Sequence, residues 1–201
     1  MISLDDFFER EIILENKRVK LSPLKEESGI ELDKIAYDPK IWEMWLTKLE
    51  NKDDLKQYIN TALKERLGKQ SYPFVIFDKL KNEFAGSTRY MAISFPNKRL
   101  EIGSTWMNPR FQGTGLNKAC KFELLRFAFE ELGLNRVELK TDVLNLRSRK
   151  AILKTGAKEE GIFRKHAITW SGRERDSVFF SITNEEWPII LETVFSEYLN
   201  H

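Results

Sequence analysis

Residues 110–118 of this 201-residue chain read Arg-Phe-Gln-Gly-Thr-Gly-Leu-Asn-Lys. A β-rich segment, residues 100–107, precedes this stretch, and apolar residues with helical spacing follow it over residues 116–132. The glycine pair, Gly113 and Gly115, therefore lies where a strand is predicted to turn into a helix. Backbone amides at a helix start have no partners within the helix and carry the positive end of its dipole. This turn is thus suited to bind an anion such as a diphosphate.

The glycine pair does not fit the two familiar nucleotide-binding loops. A P-loop has Lys and then Ser or Thr after its second glycine, but Gly115 is followed by Leu116 and Asn117. The dinucleotide fingerprint has a third glycine where this chain has Lys118. Because an isolated glycine pair also occurs in ordinary turns, its role depends on the sequence around it.

The composition excludes several classes of protein. The 33 basic and 31 acidic residues leave a net charge of +2, which argues against nucleic-acid binding driven by a basic surface. No apolar run approaches the roughly 20 residues of a membrane span, and the N-terminus does not resemble a signal peptide. The single cysteine, Cys120, precludes an intrachain disulfide and fits a cytoplasmic protein. The sequence contains no cluster of His and Cys residues that would predict a metal site.

Hydrophobic periodicity predicts one α/β domain over residues 1–201, with a mixed sheet. Strands are predicted at residues 19–24, 74–77, 83–95, 100–107, 136–141, 160–169 and 175–182. Helices are predicted over 26–49 in pieces interrupted at Pro39, over 53–67, 116–132 and 145–155, and from 184 onward. The strand–helix–strand unit around the glycine loop should cross over right-handed and place two parallel strands side by side.

Motifs along most of the chain resemble the GNAT acetyltransferase superfamily. Arg110-x-x-Gly113-x-Gly115 is similar to the family signature Arg/Gln-x-x-Gly-x-Gly/Ala at the same strand-to-helix turn. Five stretches of the sequence resemble the RimJ/RimL-type branch of this family. They are Arg18-Val-Lys-Leu-x-Pro-Leu, Leu100-Glu-Ile-Gly-Ser-Thr-Trp, Asn108-Pro-Arg-Phe-Gln-Gly-Thr-Gly, Asn145-x-x-Ser-Arg-Lys-Ala-Ile-x-x-x-Gly-Ala and Gly161-x-x-Arg. The resemblance is strongest over residues 18–185.

This resemblance implies a mostly antiparallel mixed sheet, splayed central parallel strands and helices on both faces. It also implies acetyl-CoA as the co-substrate, with its pyrophosphate on the glycine loop. The residues implied in cofactor binding are Met107, Asn108, Arg110, Gln112, Gly113, Thr114, Gly115, Leu116, Asn117, Asn145 and Ser148. For Asn145 and Ser148, helix capping is an equally good interpretation.

Acetyl transfer to an amine requires a neutral amine, a polarised thioester carbonyl and stabilisation of the leaving thiolate. By resemblance to related GNAT enzymes, Glu101 is the candidate base, acting through one water. The alternatives are a solvent-facing strand acid or a structural ion pair with Arg89. Many GNAT enzymes protonate the thiolate with a tyrosine, but residues 145–156 contain none. Ser148 is therefore the candidate acid.

The acceptor is predicted to be a primary amine, either a protein N-terminus or a small molecule. An α-amine, with a pKa near 7.7–8, demands less of a base than a lysine near 10.4. Candidate acceptor-pocket residues are Trp42, Trp45, Arg89 and Trp106, although aromatic residues in such helices commonly belong to the core. A second copy of this chain, in a homodimer, is also considered as a partner. The alternative function is a GNAT-fold module that binds acyl-CoA without turnover.

Overall fold

The computed structural model describes residues 4–199, and their side chains from residue 6 onward. The strands are β1 (Leu14–Glu15), β2 (Val19–Pro23), β3 (Tyr72–Asp78), β4 (Glu83–Ser94), β5 (Arg99–Met107), β6 (Arg136–Asp142), β7 (Lys158–Ile168) and β8 (Glu174–Thr183). The helices are α1 (Leu4–Glu9), α2 (Ser28–Leu32), α3 (Pro39–Trp42), α4 (Lys52–Leu67), α5 (Leu116–Arg126), α6 (Leu146–Leu153) and α7 (Trp187–Val194).

The described strands form one eight-stranded sheet in the order β1-β2-β3-β4-β5-β6-β8-β7. Every neighbouring pair is antiparallel except β5 and β6, which are parallel and are connected through α5. The predicted mixed, mostly antiparallel sheet is therefore confirmed.

The two parallel strands separate soon after they meet. Residues 99–101 of β5 pair with residues 136–138 of β6, but β5 continues to Met107 and β6 to Asp142. In β5, Ser104 has a φ of +45°, a left-handed conformation that is typical of a bulge. The next two side chains contact opposite layers, since Thr105 reaches α5 and Trp106 reaches α4. The predicted splay opens a gap between β5 and β6.

Helices cover both faces of the sheet. One apolar cluster joins the sheet to α5 and α7 and includes Phe74 and Ile76 of β3. The intervening residue, Val75, belongs to a second cluster with α4 and Trp106. Because successive side chains of a strand point to opposite faces, the two clusters lie on opposite sides of the sheet.

Three local features differ from the prediction. Helix α5 ends at Arg126 and continues as a π-helical turn, Phe127–Glu131. Pro39 begins α3 instead of interrupting a helix, because the first turn does not need its missing N–H. Helix α1 was not predicted, yet its Phe7 is fully buried. No helix within residues 4–199 has both the length and the apolar character needed to span a bilayer.

Candidate functional site

A cavity of about 680 Å³ opens where β5 and β6 separate. Its wall also includes Gln112, Gly113 and Asn117 of the glycine loop, but not Gly115, together with the start of α6 and side chains from α4. It brings together ten residues predicted from the sequence, namely Trp45, Arg89, Glu101, Trp106, Met107, Gln112, Gly113, Asn117, Asn145 and Ser148.

The glycine loop has the backbone geometry of an anion site. Gly113 and Gly115 have φ values of +73° and +83°, which favour glycine. The Gly115 carbonyl accepts from the Ala119 amide and so begins α5. Within residues 4–199, the amides of residues 113–117 have no hydrogen-bond acceptor. A Cβ at either glycine would meet no atom within 4 Å, so a ligand can approach this backbone closely.

Two of the predicted cofactor residues support the loop from behind instead of lining the cavity. The Thr114 hydroxyl donates to the Phe111 carbonyl at 2.7 Å and accepts from Arg18 at 3.2 Å. Arg110 forms an ion pair with Glu83. These contacts hold the loop in place through its side chains and leave its backbone amides to a ligand.

Two further predicted residues are also structural. Leu116 is fully buried in the core. The Asn108 side chain accepts from the Arg110 amide at 3.2 Å and donates to the Ile35 carbonyl at 3.1 Å. Asn108 therefore joins the loop to the segment after α2.

Asn145 caps α6 by accepting from the Ser148 amide at 2.9 Å. Both residues also line the cavity, so capping and ligand contact are compatible. The side-chain oxygen of Asn117, another residue of the cavity wall, is buried without a hydrogen-bond partner within residues 4–199. An unpaired buried acceptor costs free energy, which a ligand N–H would offset.

The Glu101 carboxylate lies in the cavity wall and is 5% exposed. It accepts a hydrogen bond from Lys140 at 2.8 Å. The predicted structural ion pair of Glu101 is therefore present, but its partner is Lys140. Arg89, the partner suggested from the sequence, is wrong, because it pairs with Glu65 at 2.9 Å. A Cβ at Gly103 would lie 2.6 Å from Glu101 Oε1, so this glycine makes room for the carboxylate.

Lys121 is a cavity residue that the sequence motifs did not identify. It is 6% exposed and donates to the Thr105 hydroxyl at 2.9 Å. Burial lowers the pKa of its ammonium group to about 8. Its signal was a lysine between Cys120 and Phe122, in a helix predicted to be largely buried. Sequence reasoning also missed Lys140 and Arg175, on β6 and β8.

The predicted acceptor aromatics divide between wall and core. Trp45 and Trp106 line the cavity, whereas Trp42 is fully buried and donates its indole N–H to the Ala36 carbonyl at 2.6 Å. The Trp42 ring lies 5.2 Å from the Trp45 ring and 5.4 Å from the Trp106 ring, measured between centroids. Trp42 therefore supports the wall from behind.

Two other reactive side chains lie outside the cavity. Cys120 is fully buried, and burial raises the pKa of its thiol to about 12, which agrees with a core role. His166 Nδ1 lies 3.0 Å from the Ser177 hydroxyl. Among residues 6–199 no group of three or more His, Cys, Asp or Glu side chains could hold a metal ion.

The acetyltransferase (GNAT) domain family matches residues 18–158, which include the glycine loop, Glu101 and Ser148. This chain belongs to the GNAT acetyltransferase family. A solved GCN5-related N-acetyltransferase from Brucella melitensis is similar to this GNAT chain with a TM-score of 0.86 and 25% identity. The likeness covers 95% of this chain and 87% of that one. The GNAT fold predicted from the sequence is therefore confirmed.

Two curated relatives match a shorter part of this GNAT chain. FsC-acetyl coenzyme A-N(2)-transacetylase of Aspergillus fumigatus is 39% identical over 95 residues, which is 47% of this chain and 40% of the relative. YdaF of Bacillus subtilis, provisionally named a ribosomal N-acetyltransferase, is 37% identical over 91 residues, which is 45% of this chain and 49% of the relative. The match thus spans about half or less of each relative. The YdaF match supports the RimJ/RimL-like branch.

Proposed function

We propose that this protein is an acetyl-CoA-dependent N-acetyltransferase that moves the acetyl group directly to a primary amine. The observation that carries the proposal is the convergence of the glycine loop and the Glu101 carboxylate on one cavity. The loop suits the donor's pyrophosphate, and the carboxylate suits proton removal from the acceptor. Membership of the GNAT family supports the same chemistry.

The donor is held along the gap between β5 and β6. Free amides of residues 113–117 bind the pyrophosphate at the positive end of α5. Beyond residue 101, β5 no longer pairs with β6, so its inner edge offers backbone groups to the amides of the pantetheine arm. Asn117 and Asn145 add polar side chains on either side of this path.

The reaction forms one C–N bond and breaks one C–S bond. The acceptor nitrogen attacks the thioester carbonyl, and its proton passes through a water to the Glu101 carboxylate. The carbonyl re-forms as the C–S bond breaks, and the thiolate leaves. Ser148 is the proposed hydrogen-bond donor to this thiolate, since it is the cavity hydroxyl on α6. The thiolate takes up a proton from water as Glu101 releases the one that it received. Ser148→Ala should lower kcat about tenfold; an unchanged kcat would remove Ser148 from the mechanism.

Donor turnover with a panel of amines tests the proposed function. Free thiol released from acetyl-CoA would be measured with N-terminal peptides, amino acids and polyamines, and the acetylated products identified by mass spectrometry. Acetyl-CoA binding with no thiol release from any amine would instead favour a non-catalytic acyl-CoA-binding module.

Gly115→Ala should weaken acetyl-CoA binding by about tenfold or more. A Cβ at a φ of +83° strains the loop by about 1–2 kcal/mol and fills the space through which a pyrophosphate approaches. Calorimetric titration with acetyl-CoA measures the effect.

Gly133→Ala is the matched control for this change. Gly133 also has a positive φ, +64°, with no atom within 4 Å of an added Cβ, and it lies beyond the other end of α5, away from the glycine loop. The control should lose similar stability but keep its affinity for acetyl-CoA. Equal affinities in the two variants would exclude the loop as the pyrophosphate site.

A further inference from the structure

Arg175 is a buried cation that has no counterion in the described part of the chain. It is 9% exposed, lines the cavity from β8, and its Nε is buried without a hydrogen-bond partner. Among residues 4–199, its guanidinium group has neither a hydrogen bond nor an ion pair. Leaving a buried charge unpaired is costly, so such a group points to a ligand that supplies the opposite charge.

The nearby acids already have partners. Asp142 pairs with Arg173 and accepts from the Leu144 amide at 2.9 Å. Glu101 pairs with Lys140 at 2.8 Å. The second buried arginine of the wall, Arg89, has its own partner in Glu65, which makes Arg175 different from it.

The position of Arg175 relates it to the acceptor. In the sheet, Ser177 of β8 lies opposite Asp142, the last residue of β6, and Arg175 comes two residues before Ser177. The turn just before Arg175 contacts the segment that carries the predicted acceptor-pocket residues Trp42 and Trp45, because Trp170 donates its indole N–H to the Trp42 carbonyl at 2.8 Å. Arg175 and the Glu101 carboxylate line the same cavity.

We propose that the amine acceptor carries a carboxylate and that Arg175 binds it. A guanidinium group presents parallel N–H donors that match the two oxygens of a planar carboxylate. One carboxylate also neutralises the single charge of Arg175. The inference rests on the proposed N-acetyltransferase function and names the substrate class of the same site.

The carboxylate can come from a free amino acid or from an acidic side chain in a peptide acceptor. Amino acids would therefore be compared with their carboxamides, and peptides with Asp at position two with the same peptides carrying Asn. In the class of acceptor that the protein acetylates, kcat/KM should be about 30-fold or more higher for the carboxylate than for the corresponding amide. Equal rates for each carboxylate and its amide would overturn the inference while leaving acetyl transfer intact.

Arg175→Gln should abolish this preference by raising the KM of the carboxylate acceptor, with the KM of acetyl-CoA unchanged. Arg164→Gln is the control, since Arg164 is exposed on the neighbouring strand and lies outside this cavity. A raised KM for acetyl-CoA instead of the acceptor would overturn the assignment. Arg175→Gln should also unfold at no lower urea concentration than the native chain, because it removes an unpaired charge; a large loss of stability would indicate a structural role.

Binding without turnover separates the two proposals. Acceptor carboxylates would be titrated into the protein with CoA present, and the heat compared between the native chain and Arg175→Gln. Arg175-dependent binding without any acetylated product would support the carboxylate site and contradict the proposed function. Neither binding nor acetylation of any carboxylate acceptor would overturn the inference.

Discussion

Glu101→Gln should lower kcat by about 100- to 10,000-fold and leave acetyl-CoA binding nearly unchanged. Glutamine keeps the size of the side chain but cannot accept the acceptor's proton. The carboxylate lies in the cavity wall, whereas the donor's pyrophosphate is assigned to the glycine loop. Steady-state kinetics with the best acceptor, together with calorimetric titration of acetyl-CoA, separate the two effects.

Glu138→Gln is the matched control for this substitution. Glu138 pairs with Glu101 in the parallel register but forms ion pairs with Arg99 and Arg136 and lies outside the cavity wall. Its replacement should leave kcat within about threefold. If both variants lost activity equally, the effect would come from the charge balance of the sheet, and Glu101 would not be the base.

Lys121→Met should make the protein more stable at pH 7 by up to about 3 kcal/mol and less active by about tenfold or more. Burial lowers the pKa of Lys121 from its ordinary value of 10.5 to about 8, and each pKa unit corresponds to about 1.4 kcal/mol. The unfolded chain therefore binds this proton more tightly than the folded chain. Below pH 8 the native protein bears the whole cost of the buried charge.

The gain from Lys121→Met should shrink as the pH rises. Between pH 8 and 10.5 Lys121 is neutral in the folded native protein, and the free-energy cost of burying it falls as the pH rises. The stability of the native chain therefore approaches that of the variant. Thr105 keeps a hydrogen-bond partner in either protein, because its hydroxyl lies 2.7 Å from that of Thr88. Urea unfolding at pH 7 and pH 10 measures the difference.

Lys118→Met is the control on the same helix. Lys118 lies one turn earlier, is 38% exposed in its side chain and pairs with Glu197 at the surface. Its replacement should change stability by less than about 0.5 kcal/mol at both pH values. A Lys121→Met protein that was less stable than the native chain at pH 7 would show that the ammonium group is well compensated in the fold. The expected loss of activity follows from removing a positive charge that faces the cavity.

Features encoded by neighbouring residues could be predicted from the sequence. The glycine pair with its following apolar helix predicted the strand-to-helix turn, and positive φ values are found at both glycines. Alternating and helical periodicities predicted the described strands from β2 to β8, which form a mixed sheet. The family resemblance added the splay between β5 and β6.

Helix α1 and strand β1 were not predicted, because their residues show no clear periodicity over so few positions. Their stability comes from tertiary packing, in which Phe7 contacts Tyr72 and Phe95 with ring centroids 5.2 and 5.7 Å apart. The bulge at Ser104 was also missed, since serine itself does not favour a left-handed conformation.

The sequence by itself determined the local backbone of the glycine loop, the proposed donor site, because a turn depends on the few residues that build it. Only the tertiary structure decided which charges meet in the cavity. Arg89 pairs with Glu65, Glu101 pairs with Lys140, and Arg175 has no partner among the residues that the structure describes. These outcomes depend on side chains far apart in the chain that the sheet brings to one place, where burial and pairing set the cost of each charge.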